Sequence, residues 1–256
     1  MRLGFDLDGT LADMQAALAR EARSLFPEVN PATLPRSAAN GEQSPAEATA
    51  SAPEEPVPST AALSPQRQRE LWKSVCARVN FWESLDEIEP GALNRLFRLV
   101  QERKWEVIFL TSRPETSGAT AQTQSYRWLV AHGFNEPSVF VVHGSRGRIA
   151  AALQLDALVD DRPENCLDVA VDSSARAILV WRGDEDKVPA SARQLGIGAV
   201  SSIHECLDIL EVLDDQKGQD GLGIVERLKR LLGLKPRGAR DRGQPRGVAD
   251  VVSSQL

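Results

Sequence analysis

Cysteine is scarce in this chain of 256 residues: there are three, Cys76, Cys166 and Cys206, far apart and with no CxxC pair. An odd number at such spacing reads as reduced thiols, which excludes both a disulfide framework and a cysteine-based zinc site. Histidine is equally sparse, and His132, His143 and His204 are too scattered to read as a metal cluster; each reads as a surface or helix-end residue. No apolar run approaches the roughly eighteen residues that a membrane-spanning helix requires. Positive charge is not in excess either. A formal charge of −6 and a pI near 5.3 argue against nucleic acid as the main partner of the folded part.

The remainder is the composition of an ordinary globular protein, 42% hydrophobic and 26% charged. The length leaves room for one α/β domain with an elaboration, or for two small domains. Short apolar runs alternate with amphipathic stretches. Strands are expected at Leu3–Asp6, Glu106–Thr111, Val139–Val142, Ala157–Asp160 and Ala177–Trp181. Helices are expected at Gly91–Glu102, Thr116–His132, Arg146–Leu153, Pro163–Asp172 and His204–Leu213. Strands spaced by single helices predict a mostly parallel sheet covered on both faces, a three-layer α/β/α sandwich. Ligands of such sheets sit outside the carboxyl ends of the strands.

One interruption breaks the alternation. Between Pro27 and Pro65 lie eight of the fifteen prolines, mixed with Ala, Ser, Glu and Thr and almost without large apolar residues. Such a segment cannot bury enough surface to offset its ordering entropy, so residues 30–64 are expected to be disordered. Helical patterns flank it, at Met14–Phe26 and Pro65–Asn80. The expected organisation is a core over residues 1–17 and 85–213, a helical cap over 18–84 inserted after the first strand, and a tail over 214–256. The tail pairs a short amphipathic pattern, Leu222–Leu232, with the basic residues Lys235, Arg237, Arg240, Arg242 and Arg246. It reads as a solvated segment, with docking to an acidic partner or a membrane surface as the alternative.

Three motifs carry chemistry. The first is FDLDGTLAD, Phe5 to Asp13. Asp6 and Asp8 are two residues apart at the end of an apolar strand, so both can converge on one point at the sheet edge. Hard carboxylate oxygens there suit Mg²⁺, and one of the acids can act as a nucleophile on phosphorus. The second is VIFLTSRP, where an apolar strand ends in Thr111, Ser112 and Arg113, hydroxyls and a guanidinium able to hold phosphoryl oxygens. The third is LDALVDDRPENC, with Asp160 and Asp161 adjacent at a strand end. Neighbouring carboxylates repel unless a cation compensates them, and with Asp6 and Asp8 on another strand of the same sheet a shared Mg²⁺ accounts for all four.

In this order the motifs resemble those of the haloacid dehalogenase-like superfamily, mostly phosphatases that work through an aspartyl-phosphate. DLDGTLAD, FWESL before Pro90–Gly91–Ala92, FLTSRP and LVDDRPENC together look like the 5′(3′)-deoxyribonucleotidase, or type C 5′-nucleotidase, branch. The likeness covers residues 2–26 and 66–210. It implies a Rossmann-like core with a small cap, a Mg²⁺ cofactor and a small phosphomonoester substrate such as a (deoxy)nucleoside monophosphate. It implies further that Asp6 is the nucleophile and Asp8 the general acid and base. The metal would be held by the Asp6 carboxylate, the Asp8 carbonyl and Asp161, with Asp160 direct or through water. Phe81 and Trp82 become candidates to stack on a base or sugar. The address implied is the cytoplasm. No leader peptide is expected, because cleaving about twenty residues would remove Asp6 and Asp8.

One further absence bears on this resemblance. The superfamily's third motif is a lysine, and no lysine lies between Thr111 and Asp160. GSRGR offers Arg146 and Arg148 instead, each longer than lysine and forked. Arg146, directly after Gly144–Ser145, stands where the lysine is expected. A phosphatase on a sugar or other metabolite phosphate is the alternative within the same class, and the missing lysine favours a non-catalytic module that keeps phosphate and metal binding.

Overall fold

The computed structural model describes residues 1–27 and 63–216. The proline-rich segment up to residue 62, the pattern at 222–232 and the basic tail therefore lie outside the described residues. The chain divides into two units, Met1–Glu211 and Val212–Leu256. Of the second, residues 212–216 are described and are helical.

The first unit is built on six strands: β1 (Arg2–Asp6), β2 (Glu106–Thr111), β3 (Ser138–Val141), β4 (Ala157–Asp160), β5 (Arg176–Val180) and β6 (Gly198–Val200). Their order is β3-β2-β1-β4-β5-β6, and all five pairings are parallel. Every residue of β4 is buried, as are Leu3 to Asp6 of β1. Because successive side chains point to opposite faces, such unbroken burial means that both faces of the central strands are covered. The sheet is the parallel, Rossmann-like α/β arrangement that the alternating pattern predicts.

Helices α3 (Ala92–Arg103), α4 (Ala121–Ala131), α5 (Arg146–Ala152), α6 (Pro163–Asp172) and α7 (Ala190–Gln194) follow the strands, and a last helix starts at residue 203. In α3 the buried residues Ala92, Leu93, Leu96 and Leu99 recur at helical spacing, so one stripe faces the core. α4 starts later than its pattern predicts. Thr120 is its N-cap, accepting from the Thr123 amide, while residues 116–119 form a loop held by Asn80 and the Cys76 carbonyl. β6 and α7 were not legible in the sequence; β6 is a three-residue edge strand with only Val200 buried, too short for an apolar run.

Between β1 and the rest of the core come α1 (Met14–Leu25) and α2 (Pro65–Ala77). Asp13 caps α1 through the Ala16 amide. Ser64 caps α2, with Pro65 in its first turn. Buried Glu21 joins the two helices by accepting from Ser74 Oγ and Arg78 Nη1. The chain re-enters the core through Asn80, in the left-handed region at φ 55°, and a 3-10 turn over Phe81–Ser84.

β1 is flanked by β2 and β4, and the strand order reverses there: β2 and β3 lie on one side, β4 to β6 on the other. The crevice outside the carboxyl ends of β1, β2 and β4 is where a doubly wound sheet binds its ligands.

Candidate active site

Asp6 ends β1, Thr111 ends β2 and Asp160 ends β4, and the parallel register brings these ends together, Asp6 beside Leu110 and Phe5 beside Val159. Asp6, Asp160 and Asp161 each place a carboxylate oxygen within 4.8 Å of the others. Asp161 is brought in by the turn after β1. Gly9 has φ 86°, and a Cβ there would lie 2.2 Å from Asp161 Oδ2, so only glycine lets the turn pass this close. Thr10, fully buried, donates its hydroxyl to Asp161 Oδ1 at 3.2 Å. Asn165, in the first turn of α6, donates to both oxygens of Asp160 at 3.1 and 2.9 Å. The Arg162 amide adds a third donor at 2.9 Å.

Arg146, at the start of α5, is buried and donates from Nη2 to Asp6 Oδ1 at 3.0 Å. Its Nε has no hydrogen-bond partner and faces Asp160 Oδ2 at 3.8 Å. Gly147 makes this seat possible: a Cβ at that position would meet the Asp168 carbonyl oxygen at 2.1 Å, so α5 can approach α6 closely only with glycine there. Arg148, two residues on, is exposed. Of the two arginines expected to supply the third-motif cation, the structure brings Arg146 to the acids.

Asp8 faces a different partner. Its carboxylate accepts from Arg113 Nε at 3.0 and 2.9 Å, from Arg113 Nη2 at 2.7 Å and from the Thr111 hydroxyl at 2.9 Å. Two expectations are corrected here. Arg113 is not available as a phosphate ligand, because it is buried with its guanidinium committed to Asp8 and Ser125. The Asp8 carboxylate is likewise not part of the Asp6–Asp160–Asp161 group, its partners being Arg113 and Thr111. Ser112, partly exposed, follows Thr111 at the same edge.

A third correction concerns the aromatics. Phe81 and Trp82 are 2% and 0% exposed, packed edge to face at 5.0 Å. Trp82 donates from its ring to the Pro114 carbonyl and from its backbone to Gln124. Neither ring offers a face to a substrate; at the junction of insert and core, burial of these large apolar surfaces outweighs any stacking role.

Sequence reasoning also missed Arg182 and Glu89. Arg182, after β5, donates to the carbonyls of Gly9 at 2.7 Å and Thr10 at 2.9 Å, and to Glu89 at 2.7 Å. Glu89 in turn accepts from the Ile203 and His204 amides, and these contacts hold its carboxyl below the usual range although burial works the other way. The pair clamps the turn that carries Thr10 and Gly9. Nothing local signals it, since its partners are far apart in sequence.

The electrostatics point to a cation. Burial, then repulsion from Asp161, pushes Asp160 above the ordinary aspartate range, against the pull of Arg146. Burial, then Asp6, does the same to Asp161. Three carboxylates face one guanidinium, so two negative charges stay uncompensated, while Asp8 and Glu89 are neutralised by Arg113 and Arg182. An oxygen-only donor set short of two positive charges fits a hard divalent ion such as Mg²⁺. Cys166 is no competing ligand, because burial and the acids drive its thiol far up.

No protein-family model and no curated protein matches this chain. Solved structures do. A haloacid dehalogenase family hydrolase from Deinococcus radiodurans, solved with bound phosphate and sodium, superposes with a TM-score of 0.50 at 14% identity, over 82% of this chain and 94% of its own. A haloacid dehalogenase-like hydrolase from Streptococcus pneumoniae gives 0.47 at 13% identity, over 82% and 97%. A subfamily IA hydrolase of the same superfamily from Geobacter sulfurreducens gives 0.45 at 13%, over 82% and 95%. The Deinococcus match places this fold among those of the haloacid dehalogenase-like hydrolases.

Proposed function

We propose that the protein is a Mg²⁺-dependent phosphatase acting on small phosphomonoesters through an aspartyl-phosphate at Asp6. The observation that carries this reading is the surroundings of Asp6: Arg146 bonded to it at 3.0 Å, and carboxylate oxygens of Asp160 and Asp161 within 4.8 Å. A carboxylate so placed has a cation to receive phosphoryl oxygens and an acidic group suited to a metal. The phosphate held by the Deinococcus hydrolase of the same fold supports the reading.

Asp6, Asp160 and Asp161, with the Asp8 carbonyl, would hold Mg²⁺, which when bound offsets the repulsion between an anionic nucleophile and an anionic substrate. An Asp6 oxygen attacks phosphorus, the ester P–O bond breaks, and Asp8, entering this step protonated, gives its proton to the departing alkoxide. Water then attacks the acyl phosphate while Asp8 takes up its proton; Asp6 is regenerated and inorganic phosphate leaves. Arg146 and Ser112 hold the phosphoryl oxygens through both steps, the Thr111 hydroxyl being engaged by Asp8. Arg146 supplies the charge that the superfamily's lysine would otherwise provide.

Burial of Phe81 and Trp82 withdraws the ring-stacking argument for a nucleotide. The substrate class stays at small phosphomonoesters, with deoxynucleoside monophosphates and sugar phosphates as its two leading members. The test is release of inorganic phosphate from a panel of both kinds, with Mg²⁺ and with EDTA, beside the Asp6→Asn variant. Hydrolysis that needs Mg²⁺ and Asp6 supports the reading. A wild-type protein inert toward the whole panel, yet binding phosphate and Mg²⁺, identifies a non-catalytic module.

A further inference from the structure

Arg113 is the one buried arginine near the site that faces away from the acidic group. Its side chain is 0% exposed, and each nitrogen of its fork has a partner: Nε and Nη2 on Asp8, Nη1 on Ser125 Oγ at 2.9 Å. Ser125 donates its own hydroxyl to the Ala121 carbonyl, which fixes its oxygen as acceptor toward Arg113. The guanidinium carbon lies over two indole rings, 5.1 Å from the centroid of Trp82 and 5.9 Å from that of Trp128. Each indole is itself anchored through its ring N–H, Trp82 to Pro114 and Trp128 to the Leu85 carbonyl at 2.8 Å. A guanidinium removed from water is costly unless geometry and partners are complete. Here every nitrogen has a partner, and two of the three meet one carboxylate.

We infer that Arg113 is a positioning residue for Asp8, packed over Trp82 and Trp128 so that the proton-transferring carboxylate is held in one orientation beside the Thr111 hydroxyl. The inference rests on the phosphatase reading above. Arg113 touches neither substrate nor metal. It acts only through Asp8, and therefore only on the two proton transfers that Asp8 makes, of which the first is to the leaving group. Trp82 lies in the turn by which the α1–α2 insert re-enters the core, so the same contact ties the placement of Asp8 to that junction.

The leaving group separates this role from a structural one. p-Nitrophenolate departs without a proton, whereas the alkoxide of glycerol 2-phosphate needs one, and kcat/KM reports only the steps through the first irreversible phosphoryl transfer. With Mg²⁺ present, Arg113→Met is expected to lose roughly 100-fold or more in kcat/KM on glycerol 2-phosphate and less than about fivefold on p-nitrophenyl phosphate. In an Asp8→Asn background the same substitution is expected to cost less than about twofold on p-nitrophenyl phosphate, because its only route of action is gone. Arg113→Lys, which keeps the charge without the fork, falls between wild type and Arg113→Met on the alkyl ester and serves as the deciding variant if Arg113→Met does not fold. Equal losses on both esters, an undiminished loss in the Asp8→Asn background, or a wild-type Arg113→Lys would overturn the inference while leaving the phosphatase reading intact. A wild-type protein that hydrolyses neither ester overturns both.

Discussion

At the scale of single residues, the site depends on which of two arginines reaches Asp6. Arg146 is buried against it and Arg148 is exposed. Arg146→Gln is expected to lower the single-turnover rate on a substrate found in the panel by roughly 100-fold or more, as loss of a charge-assisted contact in a water-poor site should. Arg148→Gln should stay within about twofold. Comparable effects from both would show that the cation is not localised at Arg146. The sequence alone could not separate these two, since both sit in the first turn of α5. It placed Asp6, Asp160, Asp161 and Thr111 at strand ends because a strand followed by a turn is a local pattern. Arg113 was misassigned for the opposite reason: its partner, Asp8, is 105 residues away, and proximity to Thr111–Ser112 made phosphate look like its ligand. Arg182 and Glu89 were invisible on the same grounds.

At the scale of elements, α5 is seated by the absence of a side chain. A Cβ on Gly147 would strike the Asp168 backbone of α6, which cannot yield as a flexible side chain could. Gly147→Ala is expected to cost about 1–3 kcal/mol of stability through overpacking, a fall in melting temperature of roughly 3–10 °C for a protein of this size. It should also depress turnover by shifting Arg146. Gly198→Ala on β6, where a Cβ would meet nothing within 4 Å, is the control, expected within about 0.5 kcal/mol of wild type. If the two variants melt alike, the α5–α6 approach is not tight. Most elements were legible from alternating apolar runs, β2, β4 and α6 to the residue. What was not legible came from tertiary context: the late start of α4, set by the Thr120 cap and the Asn80-bound loop, and the short edge strand β6.

At the scale of the whole molecule, the acidic group couples stability to pH and to metal. Asp160 and Asp161 are raised from the ordinary 3.8 to about 7 by burial first and by neighbouring acids second. The native state therefore binds more protons than the unfolded chain between these values, and metal-free stability falls as pH rises from about 4 to about 7. On the proposed reading Mg²⁺ would take the place of those protons. Its stabilisation is expected to grow over the same window, with a larger rise in melting temperature from Mg²⁺ over EDTA near pH 8 than near pH 5.5. An Mg²⁺ effect that is flat with pH would show that these carboxylates do not hold the ion. Among the described residues no helix is long and apolar enough to cross a membrane.

The central claim, that Asp6 forms a covalent bond to phosphorus, is tested most directly by acid-quenching the enzyme during turnover of a ³²P-labelled substrate and mapping the label by peptide mass spectrometry. The account predicts an acid-stable, hydroxylamine-sensitive phosphoryl group on the peptide containing Asp6, absent from Asp6→Asn. Steady turnover with no protein-bound label under these conditions, or label on a residue other than Asp6, would contradict it.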